Sequence, residues 1–290
     1  MDIDEILSEI EAVRNQGYGE YVTVSGIRIR YLVRGSGPPV LMIHGFGGFL
    51  ETWAFNIPPL SRRYRVYAVD LPGHGLSDKP KSGYTTAFAI EHAEAIMETL
   101  GIERAILVGH SLGGAASINI ALSRPGRVSR LVLVDSAGLS PRLPWLYRLS
   151  ALPGLGNILM SLAVGPALER SNRRLFYDAP VLPQDMLDVL MTNSYQTRAK
   201  KTLLEIVRQN VGYRGPRPET VLLEKLPQLE LPTLFVHGAQ DRIFPLKHVR
   251  EAFSLVPNSE VKIFDQCGHC PHIEKVVEFN EAVMSFLDNN

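Results

Sequence analysis

Cysteine is scarce in this chain, with only Cys267 and Cys270 among 290 residues. That excludes a scaffold built on disulfides. An excess of charge of one sign is also missing, because 30 Lys+Arg stand against 30 Asp+Glu. Nucleic-acid binders usually carry a clear basic excess, so no nucleic-acid partner is expected. Charged residues make up 21% and hydrophobic residues 45%, which excludes a disordered acidic or basic tail protein. The first residues, Met1-Asp2-Ile3-Asp4-Glu5, are acidic where a targeting leader would be basic.

An unbroken apolar run of membrane-spanning length is lacking too. Leu149 to Leu168 is uncharged over 20 residues, but Pro153, Gly154, Gly156, Asn157, Gly165 and Pro166 interrupt it. It is also poor in the residues that drive insertion. An apolar lid or surface segment is expected there, not a transmembrane segment. The expectation is a soluble, cytoplasmic protein, a monomer or dimer.

What the chain does have is a repeating pattern. Val22 to Val33 alternates apolar residues around Ser25-Gly26, as a hairpin would. Short, wholly apolar runs follow at Val40–Ile43, Tyr64–Val69, Ala105–Val108, Leu131–Val134, Leu234–Val236 and Val261–Phe264. Such runs fit strands covered on both faces. Helical patterns lie at Thr86–Leu100, Gly113–Ser123, Lys247–Leu255 and Val276–Leu287, and a short amphipathic helix is expected on Ile3, Ile6, Leu7, Ile10 and Val13. Strands alternating with helices predict a mainly parallel sheet whose ligands bind at the carboxyl ends of the strands. The alternation breaks between Gly138 and Gln228, a proline-bearing stretch of helical character. It is read as a helical cap inserted over that edge, so residues 1–137 and 229–290 form the core and 138–228 the cap.

Gly109-His110-Ser111-Leu112-Gly113 matches G-x-S-x-G between an apolar strand and a helix of small residues. The motif needs a sharp strand-to-helix turn that lifts a serine hydroxyl above the sheet. A serine is weakly nucleophilic until a base takes its proton. Cys267-Gly268-His269-Cys270-Pro271-His272 follows the last strand and offers two histidines. His269, directly after a glycine at the strand exit, is favoured over His272. The imidazole needs an orienting carboxylate. Asp241, after the penultimate strand, is favoured over Asp135 at the end of the strand before the cap. Donors for a developing oxyanion are expected from the backbone N–H of Leu112 at the helix start and of Phe46 in His44-Gly45-Phe46-Gly47-Gly48.

Taken in order, His44-Gly45-Phe46-Gly47, Asp70 through Ser77, Gly109 through Gly114, His237 through Asp241 and Gly268-His269 resemble the α/β-hydrolase superfamily, from about Glu20 to Leu287. The resemblance implies an α/β fold with a mostly parallel eight-stranded sheet flanked by helices, and an inserted helical cap. It implies Ser111 as nucleophile, Asp241 as acid, His269 as base, Phe46 and Leu112 as oxyanion-hole donors, and no cofactor. Substrate contacts are expected at His44, Gly45, His110 and Trp145. The Asp70–Ser77 loop looks structural in this family, and His74 and His92 are left as surface or loop histidines.

Epoxide hydrolases and haloalkane dehalogenases carry an aspartate where this chain has Ser111. Hydrolases of carbon–carbon bonds usually show Asn before the nucleophile and Met after it, where this chain has His110 and Leu112. The best match is a serine hydrolase of carboxylic esters, of medium-chain or monoacyl-lipid type, working through an acyl-enzyme on a small-molecule substrate. The alternatives are a carbon–carbon hydrolase of meta-cleavage type, a perhydrolase, acyltransferase or lyase on the same triad, and a non-catalytic ligand receptor. The complete triad argues against the last.

Cys267-x-x-Cys270 beside two histidines invites a zinc reading. Zinc would consume His269, and no second ligand pair exists, so no metal is expected. Part of the apolar content of the cap, from Trp145 to Val164, is expected to line an acyl pocket. Residues 138–228 hold 12 Lys+Arg and 7 Asp+Glu. The overall neutrality therefore hides a basic cap on an acidic body, and a weak contact with an anionic lipid surface is a corollary.

Overall fold

The computed structural model describes residues 1–15, 19–143, 145–152, 154–162, 175–178 and 197–289. Val164 lies outside the described residues, as do the side chains of Val13, Met160 and Leu162. Eight strands form one sheet: β1 (Glu20–Val24), β2 (Ile27–Arg34), β3 (Pro39–Ile43), β4 (Arg65–Val69), β5 (Ala105–His110), β6 (Val128–Val134), β9 (Thr233–Gly238) and β10 (Ser259–Phe264). Their order across the sheet is β1-β2-β4-β3-β5-β6-β9-β10. Only β2 runs against the others.

Side-chain alternation explains why these runs are apolar throughout. Leu41, Ile43, Leu107, Leu131, Leu133 and Phe235 face one layer of helices. Val40, Met42, Ile106, Val108, Val132 and Val236 face the other. The first layer is α3 (Thr86–Thr99), α4 (Leu112–Ser123) and α8 (Leu246–Phe253), which contribute Ile96, Met97, Ile118, Val249 and Ala252. The second is α2 (Ile57–Ser61) and α9 (Val276–Asn289), contributing Ile57, Leu60, Phe279, Val283 and Phe286. Full burial of a side chain of this size contributes roughly 1.5–3 kcal/mol. α1 (Ile3–Asn15) buries Ile6 and Ile10 against Phe49 and Phe55.

Register sets the edge where the site forms. His110 pairs with Val134, Val134 with Val236, and Gly238 with Phe264. The loops after β5, β6, β9 and β10 therefore leave the sheet side by side. Between β6 and β9 lie α5 (Trp145–Ser150), α6 (Leu155–Leu162) and α7 (Thr197–Asn210), with both shorter helices packed on α7. A small antiparallel pair, β7 (Val211–Gly212) and β8 (Gly215–Pro216), also occurs where no strand is expected. Two residues at each side are too few to leave an alternating pattern in the sequence. Among the described residues no helix is long and apolar enough to cross a membrane.

His92 and His74 are not surface residues, since both are buried. His92 packs its ring on Phe88 and bonds the Phe88 carbonyl at 2.9 Å. The Asp70 loop is held from inside. Asp70 accepts the N–H of Leu50 at 2.7 Å and of Leu76 at 2.8 Å, and meets the buried Arg30 guanidinium, which also pairs with Glu51.

Candidate active site

Ser111 sits at φ 51°, ψ −113°, a positive φ that residues with a side chain rarely adopt. Two glycines permit the turn. A Cβ on Gly109 would meet the carbonyl oxygen of Gly113, and one on Gly113 would meet that of Ile43. Close approach of α4 to the sheet thus requires the small residues that the sequence supplies. The Ser111 N–H bonds the Val134 carbonyl at 2.9 Å, and its own carbonyl accepts from Ala137 at 2.9 Å. The strained residue is therefore held by the last residue of β6 and by the loop that follows it.

His269 Nδ1 lies 2.8 Å from Asp241 Oδ2, and both side chains are buried. An ionised carboxylate only accepts, so Nδ1 carries the proton and Nε2 of the neutral ring keeps its lone pair. Asp241 Oδ1 accepts from the N–H of Ile243 at 2.6 Å and of Phe244 at 3.1 Å. Burial works to raise the Asp241 carboxyl, but the charge and hydrogen bond of His269 outweigh it and leave the group below its ordinary value. Asp135, the rival acid, stands behind Asp241, not beside His269. Its Oδ1 accepts the Gly238 N–H at 3.2 Å. Burial, and then the neighbouring Asp241 charge, push its carboxyl well above the ordinary range.

The rival histidine is also placed elsewhere. His272 is fully buried between Trp53 and His110, with ring centroids 4.5 and 4.6 Å away, and neither ring nitrogen has a hydrogen-bond partner. Burial holds it neutral, down to about 3. Cys267 and Cys270 are buried beside Glu274, and burial pushes both thiols up. Such thiols resist ionising, whereas metal ligation and redox chemistry use the thiolate.

A cavity of about 170 Å³ opens at Ser111. Phe46 and Leu112 share its wall. Among the described residues no acceptor takes the N–H of either residue. Leu139, Leu143, Tyr147, Ile206 and Val207 extend the wall from the segment between β6 and β9. No Lys, Arg, Asp or Glu lines it among the described residues. Its two histidines, His74 and His248, are pushed down by burial, His74 to about 3.

The four residues expected to touch substrate stand outside this wall. His44 is fully buried; its Nε2 accepts the Leu71 N–H at 3.1 Å and its Nδ1 meets the Gly45 carbonyl at 2.7 Å. It fastens the Phe46 loop to the Asp70 loop. Gly45 packs behind the serine, where a Cβ would lie 2.8 Å from His110 Nδ1 and 3.0 Å from Ser111 Cβ. His110 bonds the His269 carbonyl through Nε2 at 2.8 Å. Trp145 is 64% exposed. Two positions further on α5, Tyr147 takes the inward place and packs edge-on against Phe46, with ring centroids 6.4 Å apart. A six-residue helix is too short for the sequence to reveal which aromatic faces in. His74, Asn119 and Asn210 also line the cavity, a role the sequence reading gave to none of them, because elements distant in sequence bring them together.

Residues 38–276 match the model of the family described as alpha/beta hydrolase fold. The chain belongs to that family. It is 34% identical, over 92% of its length and 68% of the relative's, to a dihydrolipoyllysine-residue acetyltransferase component of an acetoin cleaving system from Cupriavidus necator. It is 31% identical, over 93% of both chains, to a 2-hydroxymuconate semialdehyde hydrolase from a Pseudomonas species. Among solved structures, a bacterial membrane phospholipase A superposes with a TM-score of 0.81 at 27% identity, covering 99% of this chain and 93% of the other. The family and the fold are therefore in place.

Proposed function

We propose that the protein hydrolyses carboxylic esters with an uncharged, apolar acyl group by acyl transfer through Ser111. His269, held by Asp241, takes the serine proton as the hydroxyl attacks the ester carbonyl. The N–H groups of Phe46 and Leu112 receive the oxyanion. His269 then protonates the leaving alcohol and activates water against the acyl-enzyme, while Asp241 steadies the imidazolium. Residues 138–228 serve as the cap that completes the acyl pocket.

The observation that carries the substrate class is the cavity wall, which holds no Lys, Arg, Asp or Glu among the described residues. The semialdehyde hydrolase is named for a carboxylate, and burying a carboxylate without a cation costs several kcal/mol, of the order set by ion desolvation. The described wall offers neutral groups only, which favours esters over the carbon–carbon bond hydrolysis of that relative. The test is a panel of p-nitrophenyl esters of rising chain length, run beside a meta-cleavage dienoate. Ester turnover that rises from acetate to medium chains and is abolished in Ser111→Ala is expected. Turnover of the dienoate with no ester hydrolysis would overturn the reading.

A further inference from the structure

Behind the catalytic acid lies a second buried carboxyl that the acyl-transfer chemistry does not use. Asp135 ends up at φ 41° just past β6, fully buried. Its Oδ1 accepts the Gly238 N–H, but its Oδ2 is buried without a donor. One polar atom of each of Asp135, His237 and Asp241 lies within 4.8 Å of the other two, so the Asp135 carboxyl, with its unpaired Oδ2, stands close to the Asp241 carboxyl inside the protein. Burial and like charge both disfavour two carboxylates this close together, so one of them holds a proton. Asp241 is already engaged by His269 and two backbone N–H groups, all donors that favour its charged form. The proton therefore belongs on Asp135.

The other groups facing the pair agree. His237 comes within 3.1 Å of Asp135 Oδ1 through Nδ1, yet that nitrogen makes no hydrogen bond, because the ring directs Nε2–H to the Phe244 carbonyl at 2.8 Å. His237 is thus neutral and supplies no cation; burial holds it down to about 4. Glu274, Cys267 and Cys270 approach from the turn after β10 and add no positive charge. Among the described residues His269 donates to Asp241 and not to Asp135.

We propose that Asp135 is a positioning residue, a neutral carboxylic acid whose O–H donates to the Asp241 carboxylate and fixes its orientation and basicity toward His269. The inference rests on the acyl-transfer reading for its catalytic consequence, but not for the shared proton itself. A hydrogen bond from a neutral donor disperses the Asp241 charge. The imidazolium of His269 is then stabilised less than by a bare carboxylate, which keeps the base free at lower pH. Asn can replace a protonated Asp here, since its amide N–H offers the same donor and it tolerates positive φ.

The test compares Asp135→Asn and Asp135→Ala with the unaltered protein. Infrared spectra at about pH 7 should show a protonated-carboxyl C=O band that Asp135→Asn loses. That measurement stands even if the protein hydrolyses no ester, and a band unchanged in Asp135→Asn overturns the proposal. In ester hydrolysis, Asp135→Asn should keep kcat and the acid limb of kcat/KM. Asp135→Ala should lose about tenfold in kcat, with little change in KM and an acid limb displaced to higher pH. If Asp135 were ionised, removing its charge in Asp135→Asn would move the acid limb to lower pH. That result, or unaltered kcat in Asp135→Ala, overturns the proposal.

Discussion

His110 Nε2–H donates to the carbonyl oxygen of His269 across 2.8 Å, so the residue before the serine holds the backbone of the residue proposed as its base. The two rings also pack, with centroids 4.9 Å apart. His110 is neutral in this role: burial, with His272 and His269 alongside, pushes it well below its ordinary value. His110→Leu would leave the His269 carbonyl buried without a donor, a cost of about 1–3 kcal/mol. A small displacement of the base should lower kcat by about 10- to 100-fold with little change in KM. Steady-state kinetics with thermal unfolding checks this, and an unchanged kcat would remove His110 from the machinery.

Much of this architecture is legible in the chain. Leu107, Val108, Leu133 and Val134 point alternately to two helical layers, so their apolar run declares a covered strand from sequence alone. The turn at Ser111 is legible for a related reason, since Gly109 and Gly113 stand where backbone meets backbone. Ring directions are not legible. His44, His74, His110 and His272 look alike in sequence, and only long-range packing decides that one ties two loops, one lines the cavity, one holds His269 and one fills the core. The Asp135–Asp241 contact is hidden for the same reason: 106 positions separate two residues that adjacent strands bring together.

Those buried histidines set the acid sensitivity of the fold. His44 and His237 are pushed down to about 4, and His74 and His272 to about 3, in each case by burial. In the unfolded chain each titrates near its ordinary value of about 6.5. Below that pH the unfolded state binds protons that the folded state refuses. The stability is fully present above about pH 6.5 and is lost as pH falls toward the folded values, by ~1.4 kcal/mol per pH unit for each histidine. Urea midpoints should therefore drop steeply between about pH 6.5 and 4.5. A flat midpoint across that window would contradict the buried, neutral assignment.

Tyr147 and Trp145 make a paired test of the cavity wall. Tyr147 lines it against Phe46, whereas Trp145 is mostly in solvent. Tyr147→Ala removes a large part of an apolar wall, and a well-buried methylene is worth about 0.8 kcal/mol. KM for medium-chain esters should rise about tenfold, and the preference over acetate should shrink. Trp145→Ala should leave both unchanged. The opposite pattern would place Trp145 in the acyl site and Tyr147 outside it.

Ser111 holds a conformation that only glycine adopts without strain, with φ 51° and ψ −113°. Strain of this kind costs on the order of 1–3 kcal/mol and persists at sites where function needs the geometry. Ser111→Gly should relieve most of it, against a loss of roughly 0.5–1 kcal/mol because glycine is freer in the unfolded chain. The net expectation is a gain of about 1 kcal/mol, or about 1.5–2 °C in Tm for a chain of this length. Ser111→Ala keeps a Cβ and should gain less. Both should abolish ester hydrolysis, since neither has a hydroxyl to acylate. A melting temperature ordered Gly above Ala above the unaltered protein ties the strain to the position of the proposed nucleophile. If Ser111→Gly melts below Ser111→Ala, the turn is not strained and the elbow geometry carries no stored energy.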